Sequence, residues 1–343
     1  MTNLFRRNSL YYRSGVEVYW SSMLGISELL LNGTTAIYDM ETTYHTDSCF
    51  WAMAQTGIRG FEGKAMIDRE QPGVDVPKAM IQPTDVAFSE SVELFHKWDG
   101  RDDGRIRYCF APRYAPTRTT ELLKMTADFS AKYGAYVHTH SAETEEEERI
   151  SIERTGMREV EYYDSIGLIN PRTVLAHCVH WNEREIDIMT KRGCHVCHCP
   201  GANLYLSSGI ALIPKMLARG INVSIGADGS DNNNLSNFVE MRLAAYIQKG
   251  YHRDPVIPPS AKQVFEMATL GGARALGLEN QIGSIEVGKR ADIVILDLRK
   301  PHSWPNEEQV SSKDNIYTRI VYSAISSDVV MTMVDGRVLM RDR

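Results

Sequence analysis

One unit recurs along this chain: an amphipathic helix, a glycine that stops it, and a short strand rich in β-branched residues. Tyr19, Met23, Ile26 and Leu30 fall on one helical face, Asn32-Gly33 ends the helix, and Thr34-Thr35-Ala36-Ile37-Tyr38 reads as a strand. Leu122, Thr126, Phe129 and Tyr133 share a face before Gly134 and a strand from Ala135 to His140. Asn182 and Glu185 make a capping box, Lys191-Arg192 sit at the negative helix end, and Gly193 leads into a strand from Cys194 to Cys199. Ile213, Met216 and Leu217 precede Gly220 and a strand from Ile221 to Gly226. Further strands fit Arg59 to Ile67, Arg105 to Ala111 and Thr173 to His177, which makes seven. Such alternation means a parallel sheet covered by helices, because each parallel strand needs a crossover to bring the chain back to its start.

A doubly wound sheet and a (β/α)8 barrel share this alternation, and the chemistry separates them. Neither the glycine-rich turn of a dinucleotide-binding sheet nor the P-loop pattern occurs. Polar residues able to bind metal stand instead at the carboxyl ends of different strands: His140, His177 and Asp228. A barrel gathers its active site there. After about residue 282 the texture changes to short strands and turns, Gly283 to Lys289, Ala291 to Leu296 and Val329 to Leu339. The expected architecture is α/β, with a TIM-type barrel over residues 1–281 and part of a small β-sandwich module over 282–343.

Composition narrows the class. The 343 residues are 43% hydrophobic and 24% charged, enough to bury a large core. The net charge of −6 is spread over interspersed acids and bases, so no basic face is expected for nucleic acid or anionic lipid. No apolar run reaches the roughly 18 residues of a membrane span, and the first residues lack a signal-peptide core. The expected setting is the cytoplasm, the expected partner a small molecule, with self-association to a homo-oligomer left open. Six cysteines in a chain this long do not make a disulfide framework, and reduced thiols are expected.

Three segments carry candidate chemistry. In His138-Thr139-His140-Ser141-Ala142-Glu143, strand alternation sends both histidines to one face and leaves Glu143 just beyond the strand. A lone histidine at a strand end is ordinarily structural. An imidazole beside a carboxylate is what metal-assisted deamination requires, a ligand next to a general acid. In Leu175-Ala176-His177-Cys178-Val179-His180 an apolar strand delivers His177 to its end, and in Ile225-Gly226-Ala227-Asp228-Gly229 an acid follows a buried strand and is trailed by the turn formers Ser230 to Asn234. Each has a bland reading, a satisfied core histidine or a capping aspartate, but the three together favour a metal site. Cys194-His195-Val196-Cys197-His198-Cys199 resembles a zinc knuckle, yet alternation along a strand points its side chains to opposite faces. The coupled H-x-E and P-C-x-x-C pattern of cytidine deaminases is absent. Lys64 is expected to be a snorkelling or salt-bridged lysine rather than a bridging metal ligand.

The stretches Met267-Ala268-Thr269-Leu270-Gly271-Gly272-Ala273-Arg274-Ala275-Leu276-Gly277 and Gly283-Ser284-Ile285-Glu286-Val287-Gly288-Lys289-Arg290-Ala291-Asp292-Ile293-Val294-Ile295 resemble the helix and returning β module of the amidohydrolase superfamily. His140-Ser141-Ala142-Glu143, Ala176-His177-Cys178-Val179-His180, His198-Cys199-Pro200-Gly201-Ala202-Asn203-Leu204 and Gly226-Ala227-Asp228-Gly229 are similar to its chlorohydrolase and deaminase branch. That branch contains triazine hydrolases, methylthioadenosine/S-adenosylhomocysteine deaminases and guanine deaminases. The resemblance implies one divalent metal, zinc or iron, held in part by His140 and Asp228. It implies that Asp228 takes a proton from the attacking water, His177 orients that water or polarises it, and Glu143 protonates a ring nitrogen so that ammonia leaves a nitrogen heterocycle of purine, pterin or triazine type.

Two departures from the family pattern accompany the likeness. Family members present a His-x-His pair on the first barrel strand, and here the sequence opens with Asn3-Leu4-Phe5-Arg6-Arg7, which is similar to the segment that follows that pair. The barrel is therefore expected to lack its first strand. The alternative to a deaminase is an inactive fragment or a pseudoenzyme scaffold without those ligands, and a rearranged site would draw on His138 or His45. The second departure is Arg113 in Ala111-Pro112-Arg113-Tyr114, where adenosine-type enzymes carry histidine and guanine deaminases a similar Pro-Arg-aromatic sequence. A guanidinium there would bind substrate by donating to a ring carbonyl and its neighbouring nitrogen, or would be salt-bridged on the loop.

Overall fold

The computed structural model describes residues 14–40, 42–71, 73, 76–229, 235–304 and 315–343. Asn3 to Arg7, and the Ser230 to Asn234 turn, lie outside the described residues. The chain divides into two compact units, Met1–Ile26 with Ala36–His195, and Ser27–Thr35 with Val196–Arg343.

In the first unit the strands are β1 (Ala36–Tyr38), β2 (Arg59–Glu62), β3 (Ala65–Met66), β4 (Ile106–Pro112), β5 (Tyr136–Ser141) and β6 (Thr173–His177). They lie in the order β1-β2-β4-β5-β6, with β3 beside β4, and neighbouring strands pair in parallel. The sequence expects one strand from Arg59 to Ile67, and the structure breaks it at Gly63-Lys64. Gly63 runs so close to β4 that a Cβ would stand 2.6 Å from the Cys109 carbonyl, and the chain leaves the ladder there. A similar approach joins β1 to β2: Gly60 has φ +154°, and a Cβ would come within 2.3 Å of the Ile37 carbonyl. Lys64 is buried and pairs with Glu90 at 2.9 Å, so of its two expected arrangements the salt bridge is the one formed.

Helices Thr46–Thr56, Thr84–Trp98, Thr120–Tyr133, Glu145–Thr155 and Glu183–Arg192 alternate with these strands. Local signals set their ends. Thr119 accepts from the Leu122 amide and Gly134 closes the same helix at φ +68°. Asn182 and Glu185 form the reciprocal box, and Gly193 ends that helix at φ +68°. Their apolar faces meet a core of Phe50, Phe61, Ile106, Tyr108, Phe110 and Val137, all fully buried. Aromatic pairs fill it, Phe50 stacking on Trp98 at 5.1 Å and Phe110 tilting against Phe129 at 4.7 Å.

The second unit holds β7 (His195–His198), in which the division falls, beside β8 (Asn222–Ile225), and a separate antiparallel sheet in the order β11-β10-β9, from β9 (Ile293–Leu296), β10 (Val329–Val334) and β11 (Arg337–Arg341). Gly226 follows β8 against two thiols, a Cβ there meeting Cys197 Sγ at 2.6 Å. Gly283 to Lys289 forms turns rather than a strand, with Gly283 and Gly288 both at positive φ and Ile285 and Val287 exposed. Among the described residues no helix is long and apolar enough to cross a membrane.

Candidate active site

β5 delivers His140 at its carboxyl end. The backbone amide of His140 and its ring Nδ1 both lie against the Arg113 carbonyl, at 3.2 and 3.1 Å. A carbonyl can only accept, so Nδ1 carries the proton and Nε2 the lone pair. Burial first, then the neighbouring His177, Arg113 and His138, hold the imidazole well below its usual pKa of 6.5. The ring is neutral at physiological pH, tethered at Nδ1 and carrying its lone pair on Nε2, as in a metal-ligating histidine. His138, two residues earlier, is buried and stacks on Tyr38 at 4.8 Å instead.

The next residues turn sharply. Ala142 has φ +46°, a left-handed conformation that costs an alanine about 1–2 kcal/mol. Its N–H donates to Glu159 Oε2 at 2.6 Å, and its carbonyl accepts from the amides of Val179 at 3.1 Å and His180 at 3.0 Å. β6 ends the same way, with His177 at φ +69° and Cys178 at φ +55°. The two strained turns are bonded to each other, and non-glycine residues hold such conformations where the surroundings over-determine them. The outcome is a cluster: the His140 and His177 rings stack at 5.1 Å, and Glu143 Oε2 stands 3.9 Å from His177 Nε2. Glu143 and His177 are buried, and the Glu143 amide donates to Glu147 Oε2 at 3.2 Å.

Arg113 follows β4 and is half-buried, its guanidinium 5.8 Å from the Tyr114 ring. Tyr114 in turn lies 6.0 Å from the His140 ring, its phenol pushed up to about 12 by burial, with the Arg113 charge opposing. It is therefore a hydrogen-bond donor at neutral pH. The first unit thus brings together His140, His177, Glu143 and Arg113. Asp228 belongs to the second unit. It follows β8 at φ +61° and accepts from the Gly229 amide at 2.7 Å, and its charge helps raise the buried Cys199 thiol, whose chief perturbation is the hydrogen bond with Cys197.

His140 fits a metal ligand by tautomer and charge state. Among the described residues, however, no group of three or more His, Cys, Asp or Glu side chains is arranged to hold a metal ion.

Four residues escaped the sequence reading. Tyr114 was quoted only as part of the Pro-Arg-aromatic run, and Glu147 is concealed in Glu145-Glu146-Glu147-Glu148, which reads as an acidic helix start. Its spacing of four from Glu143 is the available signal. Arg118 and Glu159, which flank the site from behind, are separated by 41 residues and leave no local trace.

Residues 9–339 match the amidohydrolase family. The chain belongs to that family. It is 36% identical over 325 residues to a 5-methylthioadenosine/S-adenosylhomocysteine deaminase of Moorella thermoacetica, covering 94% of this chain and 71% of that protein. It is 39% identical over 330 residues to a 5'-deoxyadenosine deaminase of Methanothermobacter thermautotrophicus, covering 96% of this chain and 72% of that one. Among solved structures, an adenosine deaminase of Xanthomonas campestris with bound zinc superposes with a TM-score of 0.86 at 31% identity, covering 96% of this chain and 71% of that chain. The parallel strands with their covering helices are those of a barrel amidohydrolase, with a small antiparallel sheet in addition.

Proposed function

We propose that this amidohydrolase removes the exocyclic amino group of a purine-type heterocycle by hydrolysis, an adenosine-like 6-amino ring being the preferred class. The balance is one heteroaryl amine and one water giving one ring carbonyl and one ammonia. The observation that carries the reading is the Glu143–His177 pair at 3.9 Å beside the neutral His140. Glu143 is the proton donor to the ring nitrogen next to the carbon under attack. His177 orients the attacking water, and Arg113 binds the substrate ring.

The roles of His140 and Asp228 as metal ligands, and of Asp228 as acceptor of the water's proton, are part of the proposal. For Asp228 they rest on its motif and its place after β8 in its own unit. The divalent metal, zinc or iron, would acidify a water toward neutral pKa when bound.

The substrate class follows the names of the relatives at 36% and 39% identity. Arg113 favours a second reading, an oxo-bearing ring such as guanine or a pterin, because its donors suit a carbonyl. The test is ammonia release by the zinc-supplemented protein from adenosine, 5'-methylthioadenosine, S-adenosylhomocysteine, guanine, a pterin and an aminotriazine, repeated with Glu143→Gln. Turnover on the adenosines, reduced about 10²- to 10⁴-fold by Glu143→Gln, is expected. Turnover confined to the oxo-bearing rings, and lost on Arg113→Ala, supports the second reading. No ammonia from any of them contradicts both.

A further inference from the structure

The turn that aims Glu143 is gripped from behind by an ion pair without contact with solvent. Glu159, in helix Glu159–Ser165, and Arg118, ahead of helix Thr120–Tyr133, meet at 2.9 Å with side chains 1% and 2% exposed. Glu159 Oε1 also receives the Tyr163 hydroxyl at 2.6 Å, and Oε2 receives the Ala142 amide at 2.6 Å. Arg118 Nη1 donates to Thr139 Oγ1 at 2.7 Å, and that hydroxyl lies 2.9 Å from the Arg113 carbonyl that tethers His140. The pair therefore touches β5 and its turn on both sides of His140, at Thr139 and at Ala142, and touches none of the candidate reacting groups directly.

Stability alone does not account for such a pair. Two charges taken out of water lose hydration that their attraction only about repays, and apolar residues of similar volume commonly serve as well or better. What an apolar pair cannot do is accept the Ala142 N–H. Without an acceptor, an alanine at φ +46° loses the bond that opposes its strain, and relaxation of that residue swings Glu143 away from His177.

We propose that Arg118 and Glu159 are positioning residues: Glu159 holds Ala142 left-handed and so sets the direction of Glu143, while Arg118 braces the Thr139–Arg113 contact behind His140. The inference rests on the reading of Glu143 and His177 as reacting groups.

The test compares the protein with two double variants that avoid leaving one charge buried alone. Arg118→Met/Glu159→Met fills the space and removes the acceptor. Arg118→Gln/Glu159→Gln removes both charges and keeps an acceptor for Ala142. Melting temperature, exchange of the Ala142 amide, and kcat and KM for the substrate found above are measured for each. The methionine pair is expected to melt no lower than the glutamine pair, to exchange Ala142 at least about tenfold faster, and to lose about 10- to 100-fold in kcat with KM within about threefold, as expected for a misaimed group. The glutamine pair should stay within a few-fold of the parent in both.

Unchanged Ala142 exchange in the methionine pair, or kcat losses that follow melting temperature equally in both variants, would overturn the proposal. If the parent releases no ammonia, the functional reading fails, and the amide exchange still decides the positioning claim.

Discussion

A histidine that must stay neutral ties stability to pH. His140 has its pKa held well below 6.5 by burial, with His177, Arg113 and His138 adding to the effect. Below pH 6.5 the unfolded chain binds a proton at this side chain that the folded one refuses. Its contribution is fully present above that pH and is lost as pH falls through 6.5 toward the folded pKa. Glu147, Glu148 and Glu159 act in the opposite sense, because burial raises their pKa and their contribution fades as pH rises above 4.5. Comparing the protein with His140→Asn isolates the histidine. Between pH 6.5 and 5 the variant should lose stability less steeply, by at most about 1.4 kcal/mol per pH unit and by less where water reaches the ring. Parallel urea-unfolding curves for the two across that range would show that His140 is not held neutral. The sequence made His140, His177 and Glu143 readable because each stands at or just past the end of an apolar strand. It did not disclose Arg118, Glu159 or Tyr114, whose roles come from contacts between residues far apart in the chain or from a ring that only the fold brings over His140.

Among the elements, the strongest local signals coincide with the observed boundaries. Asn182 and Glu185 satisfy two amides at the start of helix Glu183–Arg192, and Glu185 also holds Arg158 at 2.7 Å. Asn182→Ala removes one half of that box and should lower unfolding stability by about 1 kcal/mol, within the range of 0.5–2 known for such caps. A fall in the urea midpoint at unchanged slope checks it, and an unchanged midpoint would show that the cap is dispensable. The two places where strand patterns misled share a cause. Arg59 to Ile67 has the apolar content of one long strand, but the close approach at Gly63 splits it. Ser284-Ile285-Glu286-Val287 alternates like a strand, yet glycines at positive φ bracket it and nothing covers Ile285 or Val287 in the described structure. Periodicity reports which residues could share a face. It carries no information on whether a neighbour arrives to pair with them.

For the whole molecule, the family match over residues 9–339 and the barrel-type arrangement of strands agree with what alternation and strand-end polar residues implied. Substrate was less legible, since Arg113 stands where adenosine-type enzymes carry histidine, and a single guanidinium can serve an oxo ring or a ring nitrogen. Hydrolytic deamination puts an oxygen from water on the carbon that loses nitrogen, and isotope transfer reports that step. The zinc-supplemented protein is incubated with the preferred adenosine-like substrate in water enriched in oxygen-18, and product mass and ammonia are measured together. One oxygen-18 is expected in each product molecule, at the carbon that lost nitrogen, with one ammonia released per product. Product without the label, label without ammonia, or no conversion of any heterocycle in the panel would contradict hydrolytic deamination.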